Sequence, residues 1–152
     1  MRQVILKTLI ISTLFASCTE ERNIDTGVSD VEKIQQYVAE NGLNALATPS
    51  GLHVVVEDPG AGDSAYFDAI VKVNYKGYLL DGTVFDQSAP DQPIHGSLRA
   101  FIPGWQEGLP YFKEGGSGTL LIPSRLGYGN QQVGTIPPNS VLIFDIELLQ
   151  VD

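Results

Sequence analysis

The chain has 152 residues, 43% of them apolar, with sixteen glycines, nine prolines and a single cysteine. That length suits one domain with a real core plus extensions, and the glycine and proline content predicts many turns without low complexity. Residues 1–17 contain Arg2 and Lys7 and no acid, so the remainder holds 7 basic against 18 acidic side chains, a charge of −11. A surface of that sign repels phosphate backbones and anionic lipid, which argues against nucleic acid as a partner. One cysteine excludes a disulfide within the chain.

The N-terminus, MRQVILKTLIISTLFASC, places two basic residues ahead of an apolar run from Thr8 to Ala16, then small residues and Cys18. This is the order of a secretory signal, too short to persist as a membrane-spanning helix. Cys18 directly behind Ala16-Ser17 resembles a bacterial lipoprotein signal, in which the cysteine becomes the lipidated first residue. The reading is a signal peptide over 1–17 and a lipidated tether with a short helix and linker over 18–50. Ordinary secretion and an uncleaved anchor are the alternatives. A lipidated chain belongs in the bacterial cell envelope, anchored at a periplasmic or outer-membrane face. TEERNID after Cys18 reads either as an acidic export tag or as a solvated tether.

Residues 29–42, SDVEKIQQYVAENG, predict a helix: Ser29 and Glu32 have capping-box spacing, and Gly42 is a stop. Val31, Ile34 and Val38 form a narrow apolar stripe, suited to a helix lying on a domain or to a short dimerisation arm. Residues 44–51 read as a linker. Beyond them strands dominate: 52–58 is β-branched, and 69–80 alternates, with Val71, Val73 and Tyr75 facing one way and Lys72, Asn74 and Lys76 the other. Asp81-Gly82 marks a turn, and a three-residue loop with Gly82 left-handed puts Tyr75 and Phe85 on one face. Residues 103–113 predict the one helix of the domain, started by Pro103 and limited by Pro110. Residues 117–124 and 140–151 read as strands, the second covered on parts of both faces.

Metal, hydrolytic and phosphoryl chemistry find little support. His53, on a strand, is expected at a surface or edge, and His95 in a loop; neither has partners at metal-ligand spacing. No serine sits in a nucleophile elbow, and GGSG at 115–118 lacks the Lys-Ser/Thr of a phosphate loop. No cofactor is expected.

Four stretches, VNYKGYLLDGTVFDQS, FIPGWQEGL, LLIPSRLGYG and IPPNSVLIFDIELL, together and in this order resemble the FKBP-type peptidyl-prolyl cis-trans isomerase domain. The resemblance covers residues 51–152 and implies an α+β fold, a strongly twisted antiparallel sheet wrapped around one short helix. The helix and linker upstream resemble the N-terminal extension of bacterial secreted members. By motif, the resemblance implies a groove with Trp105 as floor and Tyr75, Phe85 and Phe144 as walls. Asp86 would organise the edge by accepting a hydrogen bond, Tyr128 would donate to a substrate carbonyl, and the Ile102 backbone N–H would meet another. Ile94, Phe101 and Ile136 would complete the substrate-binding lining. Ile94 and Gly96 stand where many members carry aromatics on a strand, and Val133 falls near a position that is often histidine.

The activity so implied is rotation about Xaa-Pro bonds of peptides and unfolded client proteins, with FK506-like macrolides as further ligands. The expected assembly is a monomer or weak dimer. A non-catalytic proline-binding or chaperone module of the same fold is the rival reading, and an adhesin or dimer scaffold using the 29–42 helix a second.

Overall fold

The structure, a computed structural model, describes residues 29–152. The signal-peptide and Cys18 readings fall outside that range. Helix α1 runs Asp30–Glu40, and its N-terminus carries the expected capping box, Ser29 and Glu32 satisfying each other's backbone N–H groups. At the other end Gly42, at φ +60°, lets its own N–H reach Ala39 and that of Leu43 reach Val38, so the last carbonyls are satisfied.

Seven strands form one antiparallel sheet: β1 Leu46–Ala47, β2 His53–Asp58, β3 Ile70–Tyr78, β4 Val84–Gln87, β5 Ile94–Ser97, β6 Ser117–Ile122 and β7 Leu142–Val151. Their order is β1-β2-β6-β7-β3-β4, with β5 also paired to β3. The sheet is apolar on both faces, but for different reasons. On one face Leu120, Ile122, Leu142, Phe144, Ile146 and Leu148 pack with Trp105, Leu109 and Phe112 of the domain helix region. On the other, Val55, Leu121 and Ile143 meet Ile34, Tyr37 and Val38 of α1. Double coverage explains why Leu142, Ile143 and Phe144 are all buried while the strand alternates farther on.

Helix α2, Pro103–Gly108, is shorter than the sequence predicts: a 3-10 turn over Leu109–Tyr111 replaces its last residues. Pro110 cannot donate to the preceding turn, so the helix tightens and Phe112 closes it by donating to Leu109. Gly104 and Gly108, one turn apart, set α2 flat on β6; a Cβ there would stand 2.5 Å from Ile122 Cγ2 and 2.7 Å from Leu120 Cδ2 respectively.

Three further expectations change. Part of the 44–51 linker is β1, pairing Leu46 with Val54 and Ala47 with His53. That pairing makes β2 an inner strand at this point, so His53 is not at a surface or edge: it is 4% exposed, with Nδ1 3.1 Å from the Gly51 carbonyl. His95 lies on β5 rather than in a loop, because Lys72 of β3 takes it as a ladder partner.

Candidate active site

The β3–β4 hairpin supplies three of the expected residues. Its loop is Leu80-Asp81-Gly82, closed by Gly82 N–H to Leu79 at 2.9 Å and Leu79 N–H to Thr83 at 2.9 Å. Gly82 has φ +84°, the left-handed conformation that a three-residue loop requires. Tyr75 and Phe85 consequently share a face, as that loop length predicts.

A second feature was not legible in the sequence. Tyr78 pairs with Val84 and Gly77 with Asp86, leaving Phe85 as an extra residue in a β-bulge. Strict alternation after Phe85 would send Asp86 to the opposite face. The bulge instead turns both side chains toward the concave side of the sheet. Phe85 meets the edge of Phe144, centroids 5.4 Å apart at 81°, and Asp86 enters the cavity beside Tyr75.

That cavity, of about 230 Å³, lies between α2 and the curled sheet. Trp105, on the first turn of α2 and 3% exposed, lies at the centre of its aromatic lining. Tyr75 and Phe144 each approach it at 5.4 Å in near-perpendicular geometry, and Phe101 at 5.1 Å. Edge-to-face pairs of this kind contribute about 0.5–1.5 kcal/mol each beyond the area they bury. The walls therefore brace one another. Asp86, Ile94, Ile102 and Tyr128 complete the lining together with Ala100, which the sequence did not single out.

Phe85 and Ile136 belong to an adjoining recess of about 200 Å³ that shares Asp86, Tyr128 and Phe144 with the first. Val133, Gly134 and Thr135 form its outer rim, held by reciprocal hydrogen bonds between Val133 and Ile136. The sequence pointed to Val133 by alignment alone; an exposed turn offers no periodicity to read. At the Ile94 end the wall is thin. A Cβ on Gly96 would meet only the Phe101 ring, at 3.7 Å, so the groove is open where an aromatic side chain would stand.

The polar groups are few and directional. The Tyr75 hydroxyl donates to Asp86 Oδ2 at 2.6 Å, and the Gln87 N–H donates to Oδ1 at 2.9 Å. Asp86 itself is exposed, so its charge stays solvated and carries no large burial penalty. Burial, followed by the Asp86 carboxylate that it bonds, pushes the Tyr75 phenol far above its usual range. The Tyr128 phenol is raised by burial and then by the Asp86 charge. Both remain protonated donors at neutral pH. The Ile102 N–H, at the N-cap of α2, has no hydrogen-bond partner among the described residues, and neither does the buried Trp105 Nε1. The site thus offers an aromatic floor, two phenols, a free backbone donor and one exposed carboxylate.

A sheet curled over one short helix, with an aromatic cleft between them, is the architecture of the FKBP class. The sequence profile of the FKBP-type peptidyl-prolyl cis-trans isomerase matches residues 62–149, and the chain belongs to that family. Among curated relatives, FkpA of Escherichia coli strain K12 is 41% identical over 133 residues, covering 87% of this chain and 48% of that protein. FkpA of Buchnera aphidicola subsp. Schizaphis graminum is 47% identical over 106 residues, covering 68% of this chain and 42% of the relative. The chain therefore spans about half the length of the curated relatives it matches. Among solved structures, FkpA from Escherichia coli superposes with a TM-score of 0.74 at 38% identity, over 82% of this chain and 59% of that one. A peptidyl-prolyl cis-trans isomerase from Pseudomonas syringae pv. tomato gives 0.70 at 31% identity, over 81% and 93%.

Proposed function

We propose that residues 51–152 form a peptidyl-prolyl cis-trans isomerase domain acting on Xaa-Pro bonds of peptides and unfolded proteins. The observation that carries this reading is that Trp105, Tyr128 and Ile102 line one cavity together with Tyr75 and Phe144. Family membership supports it independently.

No bond is broken in such a reaction. Partial double-bond character sets the rotational barrier at about 18–20 kcal/mol. In the twisted transition state the nitrogen loses conjugation, and the amide becomes less charge-separated. Water stabilises the planar, polar ground state more than the twisted one. An aromatic cleft that replaces water around the amide therefore lowers the relative barrier. Proline would lie over Trp105, between Tyr75 and Phe144. Tyr128 and the Ile102 N–H would hold flanking carbonyls, so that the chain on one side of the amide stays fixed while the other turns. Each about 1.4 kcal/mol of differential stabilisation is a factor of ten in rate, so several kcal/mol suffice.

Asp86 serves as an organiser in this scheme: it holds the Tyr75 ring upright and sets a directed charge beside the amide. FK506-like macrolides, as proline mimics, would be further ligands of the same cavity. The leader-like N-terminus and Cys18 support an envelope location with a lipid anchor, and hence clients among secreted and envelope proteins. Labelling with a radioactive fatty acid, lost in Cys18→Ser, tests the anchor. The protein is taken as a monomer or weak dimer, which sedimentation measures.

Protease-free relaxation of short Xaa-Pro peptides tests the activity, with Phe85→Ala and Tyr128→Ala alongside. Acceleration that collapses in both variants supports turnover in this groove. The open wall at Ile94 and Gly96 favours a second reading, a proline-binding module without turnover. Binding of a proline peptide without acceleration would select it.

A further inference from the structure

Tyr128 sits in the tight turn that follows β6, and the backbone of Ser124 is the hub of that turn. Its carbonyl accepts from Gly127 N–H at 2.9 Å and from Gly129 N–H at 2.8 Å, so Tyr128 is bracketed on both sides. The ladder between β6 and β7 ends at the Ile122–Leu142 pair, so no strand partner remains for the Ser124 N–H. It donates instead to Asp30 Oδ2 at 2.8 Å, on the first turn of α1 and 94 positions earlier in the chain. The next residue is tied in the same direction, since Arg125 donates to the Ser50 carbonyl. Ser50 in turn gives its hydroxyl to Glu107 on α2 at 2.6 Å. The segment ahead of the domain therefore holds the two elements that carry Tyr128 and Trp105.

We propose that Asp30 is a positioning residue for Tyr128: its carboxylate fixes the Ser124 backbone at the N–H and, through that residue's carbonyl, the turn that aims the Tyr128 hydroxyl into the groove. The proposal rests on the reading of Tyr128 as a donor to bound peptide. The ordinary role of an acid in this place is to complement the helix dipole, which any substitution would disturb without regard to Tyr128. Lys33 pairs with the other oxygen, Oδ1, at 3.4 Å, so the contact with Ser124 is separable from the ion pair.

A double-mutant cycle in the full chain separates the two roles. Asp30→Ala is expected to raise KM for an Xaa-Pro peptide about fivefold, the worth of one well-placed hydrogen bond, with kcat little changed. In the Tyr128→Phe background the same substitution adds nothing. Asp30→Asn, which keeps an acceptor oxygen for the Ser124 N–H, restores KM to within about twofold, and Lys33→Met leaves it unchanged. Equal losses in both Tyr128 backgrounds would overturn the proposal, as would an Asp30→Asn variant as weak as Asp30→Ala. Amide hydrogen exchange at Ser124 and Gly129 reads the clamp without turnover: it should quicken in Asp30→Ala and not in Asp30→Asn. If the unsubstituted protein accelerates nothing, the activity reading fails while exchange still decides the clamp. Unchanged exchange in an active protein overturns the clamp alone. Should Asp30→Ala not fold, Asp30→Asn and Lys33→Met still decide through exchange: a quickened Gly129 in Asp30→Asn overturns it.

Discussion

Gly77 lies directly under the Phe85 ring. A Cβ at that position would stand 2.5 Å from Phe85 Cε2 and 2.8 Å from Phe144 Cε1, so the absence of a side chain on β3 is what lets the two rings meet. Gly77 is also the residue across from Asp86 in the bulged pair. One glycine therefore sits behind three groove residues contributed by two other strands.

Gly77→Ala is expected to push the half-buried Phe85 ring outward while leaving the sheet intact. Its kcat/KM should fall about tenfold, equivalent to about 1.4 kcal/mol of transition-state stabilisation. Combining it with Phe85→Ala should cost little more than Phe85→Ala alone, because the clash has been removed. Additive losses in that pair would show that Gly77 matters for another reason.

Tyr75→Phe separates the ring from its hydroxyl. The ring still packs against Trp105 and Phe144, and water can replace the phenol at the exposed Asp86. Stability, read by urea unfolding, should therefore drop by less than about 1 kcal/mol. KM should rise about threefold, since Asp86 keeps only its Gln87 hydrogen bond and is no longer tied to the Tyr75 wall. A large stability loss would mean the hydroxyl is structural.

The pH profile follows from the two phenols. Tyr75 and Tyr128 both have pKa values raised above the ordinary 10.0, each chiefly by burial. Their donors stay protonated through the range in which free tyrosine begins to ionise. Peptide relaxation should show a kcat/KM that stays flat from neutrality into the alkaline range where free tyrosine begins to ionise. A decline beginning well below that would point to a different essential group.

Asp30 gives a stability signature at the acid end. Burial acts to raise its pKa, but hydrogen bonds from Ser124 and Lys33 and the Lys33 charge together hold it below the ordinary 3.8. A depressed folded-state value means that the carboxylate stabilises the fold above the unfolded pKa, and that this contribution disappears as pH falls through the folded one. The melting difference between the unsubstituted chain and Asp30→Asn should be constant above pH about 5 and vanish in strong acid. A difference that persisted there would mean the carboxylate charge is not its source.

Much of this protein is legible in its sequence. Local rules suffice for the capping box at Ser29 and Glu32, the left-handed Gly82, the alternation of Val71, Val73 and Tyr75, and the restriction of α2 by Pro110. Each depends on residues within a few positions of one another, where backbone geometry and hydrogen bonding act directly. The order of four motifs added the family, and with it a groove around Trp105.

The tertiary structure alone decided what depends on partners far along the chain. The bulge at Phe85 comes from the register of β3 against β4, and no glycine or proline on β4 itself marks it. His53 is buried because Ala47 happens to pair with it, and a two-residue strand has too short a pattern to announce itself. Phe85 and Ile136 fall into an adjoining recess rather than the main cavity, a division set by where Asp86, Tyr128 and Phe144 project. Asp30 reaches Ser124 across 94 positions, because α1 covers the back of the sheet and brings its first turn to the end of β6. Local sequence encodes which conformations are cheap; register and docking are settled by the burial of whole faces, and that sum is visible only once the chain is folded.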